Sequence, residues 1–233
     1  MILIAIPCYN EEKVLENNVS LLLSFCKQNL KEDFRIIIAD NDSSDKTKEI
    51  SRGLENNFVK YLFIPHQGKG IAIKKAWQSF KADIYCFMDA DLAVDLNALP
   101  DLISGIKEGY DVCLGSRSHS LSQVKRSFFR KAFSFVYGFL FKMILNSKIT
   151  DAPCGFKAIN QKAKESILPL VSNEKWFFDS EILVLAERRG CKIKEIPVKW
   201  SEPLGRESRA GVFRISWEYW EMLWKTRKRL KNS

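Results

Sequence analysis

The sequence predicts an α/β protein built on a mostly parallel sheet flanked by helices. Continuous apolar runs such as ILIAI (2–6) and IYCFM (84–88) alternate with segments whose apolar residues recur at helical spacing. Runs of that length without polar interruption mark strands buried on both faces, as parallel sheets require, and the β-α-β-α rhythm supplies helices to cover those faces. Polar and charged residues also collect just past the end of each run, where ligands gather in such sheets.

In chain order, ILIAI is the first strand, and Glu11 to about Gln28 sets Leu15, Val19, Leu22, Leu23 and Cys26 on one helical stripe. RIIIA (35–39) is the second strand, and Ser43-Ser44-Asp45 starts a helix running to about Asn57. VKYLFI (59–64), a helix from about Gly70 to Phe80, and IYCFM follow, then a helix from Leu99 to Lys107 and the strand DVCLG (111–115). Residues 124–146 read as an aromatic-rich basic helix or helix pair, DAPCGFKAIN (151–160) as a loop entering a strand, and WFFDSEILVLAERRG (176–190) as a helix. KIKEIPVKW (192–200) alternates like a strand, and SEPLGRESRAG (201–211) is a loop carrying Arg206 and Arg209. The last helix, 212–230, carries Trp217, Trp220 and Trp224. No repeat or low-complexity linker interrupts the chain, which predicts one domain over 1–233.

The bulk composition narrows the class. With 233 residues, 46% of them apolar, the chain can build a substantial core without a disulfide or metal staple. The six cysteines form no CxxC pair and several lie inside apolar runs, so they read as buried small hydrophobes in a reducing compartment. The opening MILIAIPCYNEE lacks the basic leading region of a signal peptide, and no apolar run reaches the roughly 20 residues of a membrane span. The nearest approach, AFSFVYGFLFKMIL (132–145), is short and holds Lys142. A net charge of +9, concentrated at 125–148 and from Arg206 onward, points to a polyanionic partner. Neither Gly-x-Gly-x-x-Gly nor Gly-x4-Gly-Lys-Ser/Thr occurs, which weakens dinucleotide and P-loop readings.

The residues past each strand carry the chemistry. They are Pro7, Tyr9, Asn10, Glu11 and Glu12; then Asp40, Asn41, Asp42 and Ser43; then His66 to Gly70; then Asp89 and Asp91; then Ser116 and Arg117. Within FMDADLAVD (87–95), Asp89 and Asp91 stand two apart, so extended backbone aims both carboxylates the same way. Carboxylates that close repel unless a cation or a shared proton lies between them. The plainer reading is a strand end followed by a turn, with Asp95 or Asn97 capping the next helix. Likewise Glu11 reads equally as a first-turn acid, Lys69 and Lys74 as solvated surface charges, and Asp179 and Glu181 as partners of Arg188 or Arg189 on their own helix.

Taken in order, these motifs resemble family-2 glycosyltransferases of the GT-A fold, and among them the polyprenyl-phosphate sugar transferases. IPCYNEE is similar to the family's PxYNE, ADNDSSDKT to VDDGSxDxT, HQGKGIAIKKAW to GKGxAxxxG, and MDADL to its metal-binding DAD. LGSR, FFRKAFS and DAPCGF match downstream blocks; KWFFDSEIL with VKWSE resembles dolichyl-phosphate β-glucosyltransferases, and GRESR the acceptor loop of mannose synthases. The resemblance covers roughly residues 1–215. It implies that Pro7, Tyr9, Glu11 and Asp40 contact the nucleotide and that Asp89 and Asp91, flanking Ala90, hold Mg²⁺ or Mn²⁺ on its diphosphate. It further implies that Lys69 contacts phosphate, that Arg117, Arg130 and Ser134 receive an acceptor phosphate, and that Arg206 and Arg209 close over the nucleotide-sugar. Asp89, Asp91, Arg117 and Arg130 are then the catalytic set.

The implied reaction moves a hexose, with inversion, from UDP-glucose or GDP-mannose to a polyprenyl or dolichyl phosphate. A phosphate nucleophile needs no general base, which agrees with the absence of a Ser-His-Asp or Cys-His set. A polysaccharide or glycan acceptor is the nearer rival; a nucleotidylyltransferase lacks its glycine-rich loop here. A nucleic-acid-binding module suits the charge but gives no account of MDADL. Three departures stand out: Ala93 where mannose synthases often carry a metal ligand, Asn41-Asp42 in place of Asp-Gly, and no membrane-spanning segments. The basic, aromatic segments 124–146 and 212–230 therefore read as helices lying in a membrane interface. The expected location is cytoplasmic and peripheral, against an anionic membrane surface. A separate membrane protein is an expected partner in place of the spans, and nucleic acid is not.

Overall fold

The computed structural model describes the backbone of residues 1–125, 128–202 and 212–231, and their side chains outside 128–133 and 212–218. In chain order the strands are β1 (Ile2–Cys8), β2 (Phe34–Asp40), β3 (Val59–Phe63), β4 (Ile84–Met88), β5 (Val112–Ser116), β6 (Gln123–Lys125), β7 (Phe156–Asn160), β8 (Ile193–Pro197) and β9 (Lys199–Ser201). The helices are α1 (Leu15–Asn29), α2 (Thr47–Gly53), α3 (Lys69–Ser79), α4 (Leu99–Lys107), α5 (Phe128–Leu145), α6 (Gln161–Ile167), α7 (Phe178–Arg188) and α8 (Val212–Lys231).

Seven strands form one sheet in the order β3-β2-β1-β4-β7-β5-β8, and β6 pairs with β9 in a second, two-stranded ribbon. The large sheet is mostly parallel, as the sequence predicts. The exception is β7, which runs antiparallel between β4 and β5 and sets Met88 opposite Phe156 and Leu114 opposite Lys157. Because β7 is reversed, its first residues share an edge with the last residues of its neighbours. The reversal thus carries Gly155 to the carboxyl end of β4, where Asp89 N–H donates to Gly155 O at 3.2 Å.

Alternation along the strands divides the core into two layers. Leu3, Ala5, Ile37, Ala39, Tyr85, Phe87 and Leu114 face one layer, where they meet α3, α5, α6, α7 and α8. Ile4, Ile6, Ile36, Ile38, Cys86 and Met88 face the other, covered by α1 and α4. Both faces are dry, which is why the strands read as unbroken apolar runs. Trp77 of α3 packs edge-on against Tyr85 and Phe178, and its indole N–H donates to the Cys86 carbonyl at 3.0 Å. All six cysteines are free thiols, five of them buried; burial pushes the Cys26, Cys113 and Cys154 thiols up to about 12.

Several sequence expectations need correction. KIKEIPVKW is not one strand but divides at Val198 into β8 of the large sheet and β9 of the ribbon, and the helix expected to reach Asn57 ends at Gly53. The segment expected to be helical from residue 124 starts as strand β6, because Val124 pairs with Trp200 of β9; α5 begins only at Phe128. Helix α6 was not expected: QKAKESI is short and polar, and its start is set by Asn160, whose side chain accepts the Ala163 N–H at 2.7 Å. Helix α5 buries Tyr137, Phe141, Ile144 and Leu145 but exposes Phe135 (77%), Val136, Phe139 and Met143 (60%). Helix α8 packs Tyr219 edge-on against Tyr137, with ring centroids 5.0 Å apart, and leaves Trp220 and Trp224 exposed. No helix among the described residues is long and apolar enough to cross a membrane.

Candidate active site

The carboxyl edge of the sheet gathers tight turns and charge. Among the described residues, three of the four non-glycine residues with positive φ lie there: Asn10 after β1 (φ 53°), Asp42 after β2 (φ 69°) and Leu92 after β4 (φ 49°). Asp42 occupies the left-handed conformation that a glycine would ordinarily supply, and aspartate is among the few side chains that tolerate it. The Asn10 side-chain oxygen accepts the Ser44 N–H at 2.8 Å, and Glu11 N–H donates to Thr47 Oγ1 at 2.7 Å, so the β1 and β2 loops are stitched together. Asp40 is fully buried; Oδ1 accepts the Ser43 N–H and Oδ2 the Tyr61 hydroxyl, both at 3.0 Å.

At the end of β4, Asp91 Oδ1 accepts the Ala93 N–H at 3.1 Å, and Leu92 N–H closes the turn onto the Asp89 carbonyl at 3.1 Å. Ala90 is buried, and its carbonyl accepts from Asn18 Nδ2 at 2.8 Å. Gly155 underlies the turn: a Cβ placed on it would fall inside the Asp89 carboxylate. Gly155→Ala is therefore expected to displace Asp89 and lower activity at least about tenfold, with little change in thermal stability; a kcat/KM comparison beside a melting curve checks this.

Lys69 opens α3 with its ammonium 2.6 Å from Asp179 Oδ2 and 2.7 Å from Asp89 Oδ1. It is 7% exposed, so the surface-charge reading is overturned. The close approach behind this depends on Gly70, where a Cβ would come within 2.7 Å of Phe178 Cβ. With no side chain there, the start of α3 lies against α7 and meets Asp179. Burial works against the Lys69 charge, but Asp179 and then Asp89 outweigh it and its pKa rises. Lys157 of β7 is also buried and donates to the Cys154 carbonyl; with burial dominant, its pKa falls.

Arg117, just past β5, is held by Asp151. Its backbone N–H, Nε–H and Nη2–H donate to the two carboxylate oxygens at 2.7, 2.8 and 2.7 Å. Burial would raise the Asp151 pKa, but Arg117 prevails and holds it below the usual carboxylate range. A guanidinium has five N–H donors, so this fork does not exhaust it. Trp200 lies under the guanidinium at 5.8 Å.

The sequence-predicted residues thus gather at one edge: Pro7, Tyr9, Glu11, Asp40, Lys69, Asp89, Ala90, Asp91 and Arg117 all end or follow strands there. Ser134 lies on α5. The side chain of Arg130, and Arg206 and Arg209 altogether, lie outside the described residues. Lys157 was missed, Asp151 and Gly155 were marked only as part of DAPCGF, and Asp179 was read with Arg188 or Arg189 as its partner. Nothing local signals that Asp179 pairs 110 residues away with Lys69. Glu181 also departs from expectation: it is buried and pairs with Arg229 of α8, not with its own helix, while Arg188 reaches the Leu145 carbonyl.

Among the described residues no group of three or more His, Cys, Asp or Glu side chains clusters as a metal site. Asp89 and Asp91 nevertheless offer hard oxygen donors, the set that Mg²⁺ and Mn²⁺ prefer, with the remaining ligands left to water or phosphate. Gly155 keeps the space beside the Asp89 carboxylate free of a side chain. The residues present fit such a cation.

A mostly parallel sheet, helices on both faces and an acidic turn at its carboxyl edge define a GT-A-like fold. Crystal structures of glucosyl-3-phosphoglycerate synthase from Mycobacterium tuberculosis share it. The form in complex with Mn²⁺, UDP and phosphoglyceric acid superposes with a TM-score of 0.75 at 16% identity, over 97% of this chain and 78% of that one; another holds Mg²⁺ and UDP. Residues 3–168 match the sequence profile of Glycosyl transferase family 2, and the chain belongs to that family. It is a glycosyltransferase. Glycosyltransferase AglD of Haloferax volcanii is 33% identical over 207 residues, 87% of this chain but only 33% of AglD. The dolichyl-phosphate beta-glucosyltransferase of Saccharomyces cerevisiae is 31% identical over 231 residues, 90% of this chain and 69% of that protein. The chain thus spans about a third of AglD and about two thirds of the yeast relative.

Proposed function

We propose that the protein transfers glucose from UDP-glucose to a polyprenyl or dolichyl phosphate, with inversion at the anomeric carbon. The observation that carries the reading is the position of Asp89, whose N–H donates to the Gly155 carbonyl at 3.2 Å on the segment that carries Asp151, close enough to bear on the Arg117 charge. The edge therefore offers anions for a cation–diphosphate and, next to them, a cation for a second phosphate. The names of the dolichyl-phosphate beta-glucosyltransferase relatives support both sugar and acceptor.

In this reading Pro7, Tyr9 and Glu11 contact the nucleotide, while Asp40, expected to do the same, is fully buried and instead holds the loop after β2 through the Ser43 N–H. Asp89 and Asp91 would hold Mg²⁺ or Mn²⁺, which would supply Lewis-acid stabilisation of the charge on the departing diphosphate. Arg117, with Arg130 and Ser134, positions the acceptor phosphate for in-line attack. A phosphate oxygen forms the bond to the anomeric carbon while the carbon–oxygen bond to UDP breaks and its electron pair leaves with the diphosphate. The ionised phosphate carries no proton to remove, so no base is needed. Arg206 and Arg209 close over the donor.

The chain acts as one unit, 1–233, with segments 124–146 and 212–230 against an anionic membrane surface on its cytoplasmic side. The exposed Phe135, Val136, Phe139, Met143, Trp220 and Trp224 support that seat. A separate membrane protein accompanies it there. Calorimetric titration tests the donor side: UDP binds with Mn²⁺ at least about tenfold more tightly than GDP, and EDTA abolishes the binding. Preference for GDP would replace glucose with mannose, and metal-independent binding would remove the cation from the site.

A further inference from the structure

Lys69 is placed where a cation is needed. Its ammonium lies 2.7 Å from Asp89 Oδ1, on one of the two carboxylates assigned to Mg²⁺ or Mn²⁺. An oxygen that accepts an ammonium at that distance must be shared with, or surrendered to, any metal ion that arrives. The lysine is not held by Asp89 alone. Asp179 grips it from the other side at 2.6 Å, and the rings of Phe87 and Trp176 lie 5.4 and 5.7 Å from it.

Asp179 has an unusual feature for so buried a group. It is 1% exposed, and among the described residues its Oδ1 has no hydrogen-bond partner. An unfilled buried acceptor is costly, so a carboxylate in this state has capacity for a further donor. Lys69 is the ammonium already in contact with its other oxygen. A small shift of Lys69 away from Asp89 would fill Oδ1 without exposing either group.

Building on the metal–diphosphate site proposed above, we propose that Lys69 is a resident counter-ion of that site. It neutralises Asp89 while the donor is absent and withdraws onto Asp179 when the metal enters. Asp179 is then a positioning residue that acts through Lys69. Two consequences follow. The protein alone binds Mn²⁺ weakly, because the cation meets an ammonium on its ligand. Nucleoside diphosphate and Mn²⁺ bind with strong positive linkage, because the diphosphate supplies the charge that lets both cations stay.

The test is Mn²⁺ binding followed by the electron paramagnetic resonance signal of the free ion, with and without UDP, on the full chain. Lys69→Met is expected to bind Mn²⁺ alone at least about tenfold more tightly than wild type, and the enhancement by UDP shrinks correspondingly. Asp179→Asn moves the other way, since it removes the retreat: Mn²⁺ binding with UDP weakens several-fold. Lys74→Met removes another lysine of α3, one that donates to the Val171 carbonyl at 3.2 Å, and it leaves Mn²⁺ affinity within about threefold of wild type.

If Lys69→Met fails to fold, Lys69→Met with Asp179→Asn keeps the charges balanced and is expected to bind Mn²⁺ more tightly than Asp179→Asn alone. An unchanged or weaker Mn²⁺ affinity in the Lys69 variant, or an equal gain from Lys74→Met, overturns the proposal while leaving the metal–diphosphate site intact. No Mn²⁺ binding to wild type even with UDP overturns both.

Discussion

Asp89→Asn is expected to lower kcat/KM for sugar transfer by about a thousandfold, while the melting temperature stays within a few degrees of wild type. The rate effect is large because the departing diphosphate depends on a cation, and a metal ion contributes several kcal/mol of charge stabilisation that asparagine holds poorly. The stability effect is small because the Asp89 side chain is 39% exposed and Lys69 keeps its contact with the buried Asp179. Raising Mn²⁺ should recover part of the rate in the variant. A variant as active as wild type at limiting Mn²⁺ would mean that Asp89 is a turn residue only.

Asp151→Asn has its main effect on the fold. Asp151 is buried and takes three donors from Arg117, so the asparagine leaves a largely buried guanidinium without its counter-charge. Breaking a buried pair from one side costs about 3–5 kcal/mol, which for a chain of this length lowers the melting temperature by roughly 10 °C. The pH dependence gives the sign. The folded-state pKa of Asp151 is depressed, so its contribution is fully present above the unfolded-state value of about 4. It is lost as pH falls through the depressed folded-state value. The gap in melting temperature between wild type and variant should therefore be constant near neutral pH and narrow progressively below about pH 4. A gap that widens in acid would contradict this assignment.

The legible part of the site is the part fixed by local pattern. Asp89 and Asp91 could be placed at a strand end because IYCFM is unmistakably a buried strand and the two acids keep its period. Arg117 was found the same way, one residue beyond β5. The pairings that hold these groups were not legible, because each joins distant segments. Arg117 meets Asp151 across 34 residues and Lys69 meets Asp179 across 110. The burial of Lys69 was not legible either, because it follows from Gly70 admitting α7, a tertiary contact with no local periodicity. The reversal of β7 was hidden for a related reason. FKAIN reads as a strand in either direction, and only its neighbours fix the sense of its hydrogen bonds.

The glycines show the same division. The need for a left-handed residue after β2 is visible once Asp42 is seen at φ 69°. The need for Gly155 arises from Asp89, which lies 66 positions earlier in the chain (155 − 89).

The most direct measurement supplies purified protein, Mn²⁺ and polyprenyl phosphate in anionic vesicles with UDP-[¹⁴C]glucose, and follows label into the lipid phase. Label is expected to appear there and to be lost with EDTA and in Asp89→Asn. Mn²⁺-dependent UDP-glucose binding without any label in lipid phosphate would contradict a polyprenyl or dolichyl phosphate acceptor.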